Sequence, residues 1–475
     1  MSIFRPIILA GSILLLSACA GLPSMPGAEA PVPAQWHAPL PHQGTLADLS
    51  GWWRAQGDPL LPELIDAAQS LSPTVAAARS RIEQARAARV VAAAALLPAV
   101  NGAASVARSS AQPPLPMGTT SQAALQPAWE IDLFGGNRAG RDAAEARLEG
   151  ARAAWHDARV SVAAEVASQY YGLRTCRQLL AVAESDAASR AETSRLTRLA
   201  ADAGFQAPAT AALARASAAE ASGRVLRQRA DCEMDIKALV ALSGISEPEL
   251  RARLAAAPAP IEPAPLAIDR LPARLLAQRP DIFAAEREIA AASADIGSAE
   301  AQRYPRLTLS GSVGVANFKG GGFDTTLDTW SIGPLALTVP LFDGGRRAAG
   351  VEAARARYEE ATANYRARVR QAVREVEQAL VTLDSTARRN DDARTAVEGY
   401  RASYDATEAR YRNGLASLIE LEETRRARLA AENSLATLEL ERRNAWVGLY
   451  RAAGGGWDAS AAPPLSGPTA ALRSQ

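Results

Sequence analysis

Apolar and polar residues alternate along four short stretches of the chain, and elsewhere the spacing lengthens to seven. Leu307, Leu309, Val313 and Val315 alternate with Thr308, Ser310, Ser312 and Gly314, the period-two pattern of a strand with one apolar face. A partner strand is expected from about Trp330 to Leu341, with Leu335, Leu337, Val339 and Leu341 on one side. An earlier pair repeats the pattern. Val100, Ala104 and Val106 lie on one strand, and Leu125, Trp129, Ile131 and Leu133 on the next, with Gln126, Glu130 and Asp132 pointing the other way. Strands of about ten residues, apolar on one face and polar on the other, suit a wall between lipid and a wet lumen. The stretches 109–121 and 317–329, rich in Pro, Gly, Ser and Thr, are expected as loops, with Gly320-Gly321-Gly322 at a loop tip.

After each strand pair the pattern turns helical. Tyr358, Tyr365, Ala372 and Ala379 are seven apart, as are Thr362, Val369, Val376 and Leu383, which marks a heptad seam. No proline interrupts residues 346–412, and at 1.5 Å per residue such a helix reaches roughly 100 Å. A counterpart of similar length is expected from about Asn137 to Ala203. Gly204 and Gly414 follow these helices, as C-termini prefer, and a returning helix closes each hairpin.

These two series are one series written twice, at a period of roughly 210 residues. Leu133-Phe134-Gly135-Gly136 recurs as Leu341-Phe342-Asp343-Gly344-Gly345, and Ala203-Gly204-Phe205 as Asn413-Gly414-Leu415. Leu97-Pro98 and Tyr304-Pro305 open the corresponding strand pairs. A duplicated unit is the simplest account.

Composition narrows the class. Aromatic residues are 5% of the chain and alanine is frequent, which suits long, closely packed helices. The apolar run from Ile7 to Leu16 is too short to span a bilayer and reads as a signal-peptide core. It ends in Leu16-Ser17-Ala18-Cys19, which resembles the lipobox of bacterial lipoproteins; Ala20 and Gly21 follow, with no retention Asp, so the outer membrane is the expected destination. Without Arg5 the charges balance, and the basic side is nearly all Arg, Lys237 and Lys319 being the lysines. A neutral chain without a basic block argues against a nucleic-acid partner. No other apolar stretch approaches a membrane helix, so a membrane crossing must be a β-barrel. Four strands cannot close one, since the smallest have about eight, whereas three copies would give twelve.

No chemistry-bearing constellation appears. His37, His42 and His156 are scattered, and Gly135-Gly136-Asn137-Arg138 lacks the Lys-Ser/Thr of a phosphate loop. No metal, cofactor or enzymatic activity is expected. With Cys19 taken by lipid, two thiols remain. Cys176 lies 28 residues before Gly204 and Cys232 lies 28 after it, at equal height on an antiparallel hairpin. They either pair in the oxidising periplasm or stay buried as small apolar residues.

The run Arg279-Pro280-Asp281-Ile282, then Ala284-Ala285-Glu286-Arg287, Ile296-Gly297 and Tyr304-Pro305, resembles the signature segment of outer membrane efflux proteins. The lipobox places the resemblance in their lipoprotein branch, among TolC-, OprM- and NodT-type channels. It covers about residues 45–455. It implies a mainly α, homotrimeric protein whose twelve-stranded transmembrane β-barrel continues into a long periplasmic coiled-coil helical barrel. Each subunit then supplies four strands and two long helical hairpins, with a mixed equatorial belt. The implied division is a signal peptide at 1–18, a lipidated linker at 19–44, repeats at 45–260 and 261–455, and a tail at 456–475. The implied function is the exit duct of a tripartite pump, joined by a periplasmic adaptor to an inner-membrane transporter, a proton-driven antiporter. The alternatives are a duct for type I protein secretion or a non-conducting envelope scaffold.

The resemblance also assigns residues. Leu418, Glu422 and Arg425, on one helix face after the second turn, match the periplasmic gate, where Glu422 replaces the usual Asp and Arg425 is expected to bridge subunits. The matching positions of the first repeat, Pro208, Ala212 and Leu213, supply no acid. Gly204, Phe205, Gly414 and Leu415 match the tips that seat the adaptor; Phe205 and Leu415 either meet it or pack within their own tips. For the anchor, Cys19→Ala should abolish incorporation of labelled fatty acid, whereas an unmodified N-terminus elsewhere, found by mass spectrometry, would rule the lipoprotein assignment out.

Overall fold

Both periodicities resolve into the elements they imply. The computed structural model describes residues 29–38, 40, 51–110, 117–257 and 272–457. The signal peptide, Cys19, His42, most of the linker, residues 111–116 of the first loop and the tail beyond 457 lie outside the described residues. In chain order the elements are α1 (Trp52–Ala55), α2 (Leu60–Leu71), α3 (Pro73–Ala94), β1 (Ala99–Ser109) and β2 (Gly118–Ile131). There follow α4 (Gly136–Asp202), α5 (Pro208–Ser243), α6 (Glu247–Ala256), α7 (Pro272–Ala277) and α8 (Pro280–Ala301). The chain continues with β3 (Arg306–Gly320), β4 (Phe323–Thr338), α9 (Arg346–Arg412) and α10 (Leu418–Ala452). Helices α4 and α9 have 67 residues each, as the repeat requires. The fold is mainly helical with one small sheet.

The chain divides into two units. The first comprises Met1–Ala30, Ser80–Arg152 and Phe283–Ala367 and contains the sheet. Its four antiparallel strands run in the order β1-β2-β3-β4. Register brings Gly102, Leu125, Val313 and Trp330 into one row, and Trp129, Leu309 and Leu335 into another. Directly paired residues share a face, so Val100, Val106, Leu125, Val313, Trp330 and Leu335 stand together, all exposed. Gln122, Gln126, Glu130, Thr308 and Ser312 occupy the opposite face. Register thus confirms the alternation read from the chain.

Several boundaries differ from expectation, and β2 begins at Gly118, inside the stretch 109–121 expected as a loop. Residues 317–329 are not a loop: β3 continues to Gly320 and β4 begins at Phe323, leaving Gly321-Gly322 as the turn. Both glycines have positive φ, 60° and 88°, which a two-residue hairpin turn needs and other residues rarely adopt. At the other end β4 stops at Thr338 and β2 at Ile131, so Val339, Leu341 and Leu133 lie beyond the ladder. Carboxylates cap the helices that follow. Asp132 accepts from the backbone N–H of Asn137 and Arg138 at 3.1 and 2.9 Å. Asp343 accepts from Gly345 and Arg347 at 3.0 and 3.1 Å. Each supplies negative charge to the open N–H groups of a helix start.

The second unit comprises Pro31–Arg79, Ala153–Ile282 and Arg368–Gln475. Its core joins the larger side chains: Trp52, Trp53, Leu61, Leu64, Tyr170, Leu173, Leu239, Leu250, Trp446 and Tyr450. The heptad residues Val376, Ala379 and Leu383 belong to it, together with Leu380. The signature run places Arg279 here, nearly fully buried. Its guanidinium donates to Asp281 at 2.8 and 3.0 Å, to Glu375 at 3.0 Å and to the Ala452 carbonyl at 3.0 Å. Burial alone would raise the Asp281 carboxyl, but Arg279 holds it below its ordinary value. The motif is therefore structural, tying α8 to α9 and to the end of α10.

Cys176 on α4 and Cys232 on α5 are joined by a disulfide, with Cα atoms 5.6 Å apart. Helix axes 8–10 Å apart leave facing Cα atoms, each about 2.3 Å off its axis, roughly 3.4–5.4 Å from one another. Usual helix spacing is thus compatible with the bond. Non-reducing peptide mapping of envelope-purified protein should recover the cross-linked pair. The bond closes a segment with a sequence separation of 56, for which chain entropy gives about 4 kcal/mol as an upper bound on what Cys232→Ser removes. Two free thiols at these positions would refute it.

Candidate functional site

Helices α4 and α9 both end in a glycine with positive φ, 78° at Gly204 and 74° at Gly414. The N–H of Phe205 donates to the Ala200 carbonyl at 2.8 Å and that of Leu415 to Arg410 at 2.8 Å, which closes the exposed carbonyls of each last turn. Pro208 starts α5, whereas Ser417 caps α10 by accepting from the Glu420 N–H at 3.1 Å. The turns leave Phe205 84% and Leu415 70% exposed. Neither packs within its own tip.

Behind the tips lies a group of charged residues drawn from both hairpins. Arg425 is fully buried. Its guanidinium donates to Glu422 at 2.7 Å and Ser189 at 2.8 Å, with longer contacts to Thr193 at 3.3 Å and Tyr404 at 3.4 Å. Glu422 also accepts from Arg190 of α4, which donates to both Asp186 oxygens at 3.0 and 2.9 Å and to Ser217 of α5. Tyr404 donates to Glu408 at 2.8 Å. Arg428 lies 4.0 Å from the centre of the Tyr404 ring. The group thus touches α4, α5, α9 and α10. Burial alone would lower the Arg425 pKa, but Tyr404, Glu422 and Asp186 more than offset it, so the guanidinium stays charged. Buried Asp186 and half-buried Glu422 face the buried arginines Arg190 and Arg425, and Arg224 pairs with Asp186 from the exposed side at 3.1 Å.

Both terminal nitrogens of the Arg425 guanidinium find partners within its own chain, while its buried Nε has no hydrogen-bond partner and lies 3.9 Å from Asp186. A buried guanidinium left without such partners would be costly, and these come from α4, α9 and α10. Leu418 is likewise covered, packed with Ala214, Tyr404 and Leu421. The residues that sequence reasoning missed are Asp186 and Arg190. Their signal was an oppositely charged pair at i, i+4 inside an alanine-rich helix, a pattern shared with many solvated pairs. Among the described residues no cluster suited to a metal ion occurs.

Comparison with known proteins identifies the family of the chain. The family model described as outer membrane efflux protein matches residues 64–245 and 271–455, once in each repeat. Outer membrane protein OprJ of Pseudomonas aeruginosa is 31% identical over 469 residues, covering 94% of both chains. Nodulation protein T of Rhizobium leguminosarum bv. viciae is 30% identical, covering 96% of this chain and 94% of its own. The solved structure of the outer-membrane channel OprN superposes with a TM-score of 0.81 at 29% identity, over 92% of this chain and 99% of OprN. With both repeats matched and relatives aligned over nearly their whole length, the chain belongs to the outer membrane efflux protein family.

Proposed function

We propose that three copies of this chain form a lipid-anchored exit duct that conducts small molecules passively out of a tripartite efflux pump. As a family member the chain is an outer-membrane component of efflux transport. One observation carries the finer reading: the four-stranded sheet exposes an apolar face and ends in two strands, β1 and β4, each paired on one side only. Such edges are untenable in hydrocarbon unless another copy pairs with them. Three copies close twelve strands around the polar faces carrying Gln126, Glu130 and Thr308. The lipid on Cys19 adds a second attachment, and no cofactor beyond it enters the reading.

In this reading the exposed Phe205 and Leu415 meet a periplasmic adaptor, which joins the duct to an inner-membrane transporter, a proton-driven antiporter. The charged group behind the tips acts as the gate. It links the first hairpin to the second, so a tip that opens must separate Arg190 from Glu422 or Arg425 from Ser189. Glu422 and Arg425 therefore hold the closed tip from inside each subunit, with Leu418 packed beside them.

The reading is tested by export from a deletion strain complemented with this gene, and by cross-linking of purified protein. Restored drug resistance and a three-copy species are expected; a monomer without single-channel conductance would overturn it. For the gate, Glu422→Ala or Arg190→Ala should raise conductance and sensitivity to large antibiotics. Each removes charge-assisted hydrogen bonds of about 1.5–3 kcal/mol. Wild-type conductance in both variants, at normal expression, would remove these residues from the gate.

A further inference from the structure

In the first unit a cavity of about 240 Å³ opens where β2 passes into α4 and α8 into β3. Glu130, Phe134, Asn137, Ser298, Gln302 and Arg306 line it. Register pairs Glu130 with Thr308, and Arg306 lies two residues before Thr308 on β3. Glu130 and Arg306 are thus diagonal neighbours on the polar face. Asp132, also at the cavity, is already committed: it caps α4 and pairs with Arg138 at 3.3 Å. Glu130 and Arg306 differ. Among the described residues neither has an ion pair or a side-chain hydrogen bond, nor do Ser298 and Gln302. Beside these polar groups the Phe134 ring stacks on Tyr304, with centroids 4.8 Å apart and planes 15° from parallel.

We propose that this cavity is a transit subsite for small amphoteric aromatic solutes, a reading that rests on the channel function proposed above. The ammonium of such a solute meets Glu130, its carboxylate meets Arg306, and its ring lies against Phe134. Ser298, Gln302 and Asn137 offer further hydrogen bonds. The charges decide the ligand class: one unpartnered group of each sign, side by side, favours a molecule bearing both over one bearing either. Size agrees. Sites for drug-sized ligands run from about 300 Å³ upward, so this one holds an amino-acid-sized molecule or one end of a larger one. A subsite in a conducting path must also bind weakly enough to release its occupant.

The test uses saturation-transfer NMR on the purified full-length protein, with tryptophan as the amphoteric probe. Tryptamine and indole-3-propionate carry one charge each and serve as comparisons. Tryptophan should bind about tenfold tighter than either. Glu130→Gln should remove its advantage over indole-3-propionate, and Arg306→Gln its advantage over tryptamine. Equal binding of the three probes, or a preference unchanged in both variants, would overturn the subsite. Planar-bilayer conductance of the same wild-type preparation separates the two readings. Preference without conductance faults the channel and the word transit, while conductance without preference faults the subsite alone.

Discussion

Everything in the first unit follows from the hydrogen-bonding demand of β-strand backbone against an apolar surrounding. The sheet exposes Val106, Leu125, Val313, Trp330 and Leu335 on one face, far more apolar surface than a water-facing sheet carries singly. A backbone group without a partner costs several kcal/mol in lipid, so a sheet with this face cannot keep open edges there. One chain offers four strands and no way to close them. The subunit is in this sense an incomplete object, and the proposed trimer is the smallest arrangement above eight strands that three-fold repetition of four allows.

The same incompleteness does not extend to the charged group behind the tips. Asp186, Arg190, Glu422 and Arg425 neutralise one another within a single chain, and Ser189, Ser217, Thr193 and Tyr404 take up further donors. Breaking one member of a buried set strands the others, at a cost of about 3–5 kcal/mol. A shielded ion-pair set is thus well suited to a two-position device. It is firm while its partners are shielded, and less costly to separate once water enters. The first hairpin is further stiffened by the Cys176–Cys232 bond, which the second repeat lacks, so duplication has produced two hairpins with unequal restraint.

Much of this was legible in the residues themselves. Alternation at Leu307–Val315 assigns side chains to faces because the strand period is two, and no partner is needed to read it. Heptads at Tyr358–Ala379 and unbroken propensity over 67 residues fix helix α9 for the same local reason. The Gly204 and Gly414 turns depend on a backbone conformation that one residue type adopts freely. Family signature and repeat are likewise linear patterns. All are properties of neighbours along the chain.

Tertiary structure decided what depends on residues far apart in it. That Gly321-Gly322 closes a tight hairpin, where composition pointed to a longer loop, follows from the β3–β4 register. That Arg425 turns inward to Ser189, 236 residues away, depends on how two hairpins pack, and no local spacing encodes it. Arg190 and Asp186 are indistinguishable along the chain from solvated pairs such as Arg195–Glu192, which remain exposed. Burial is what separates them, and burial is set by the neighbouring helices rather than by the residues that undergo it.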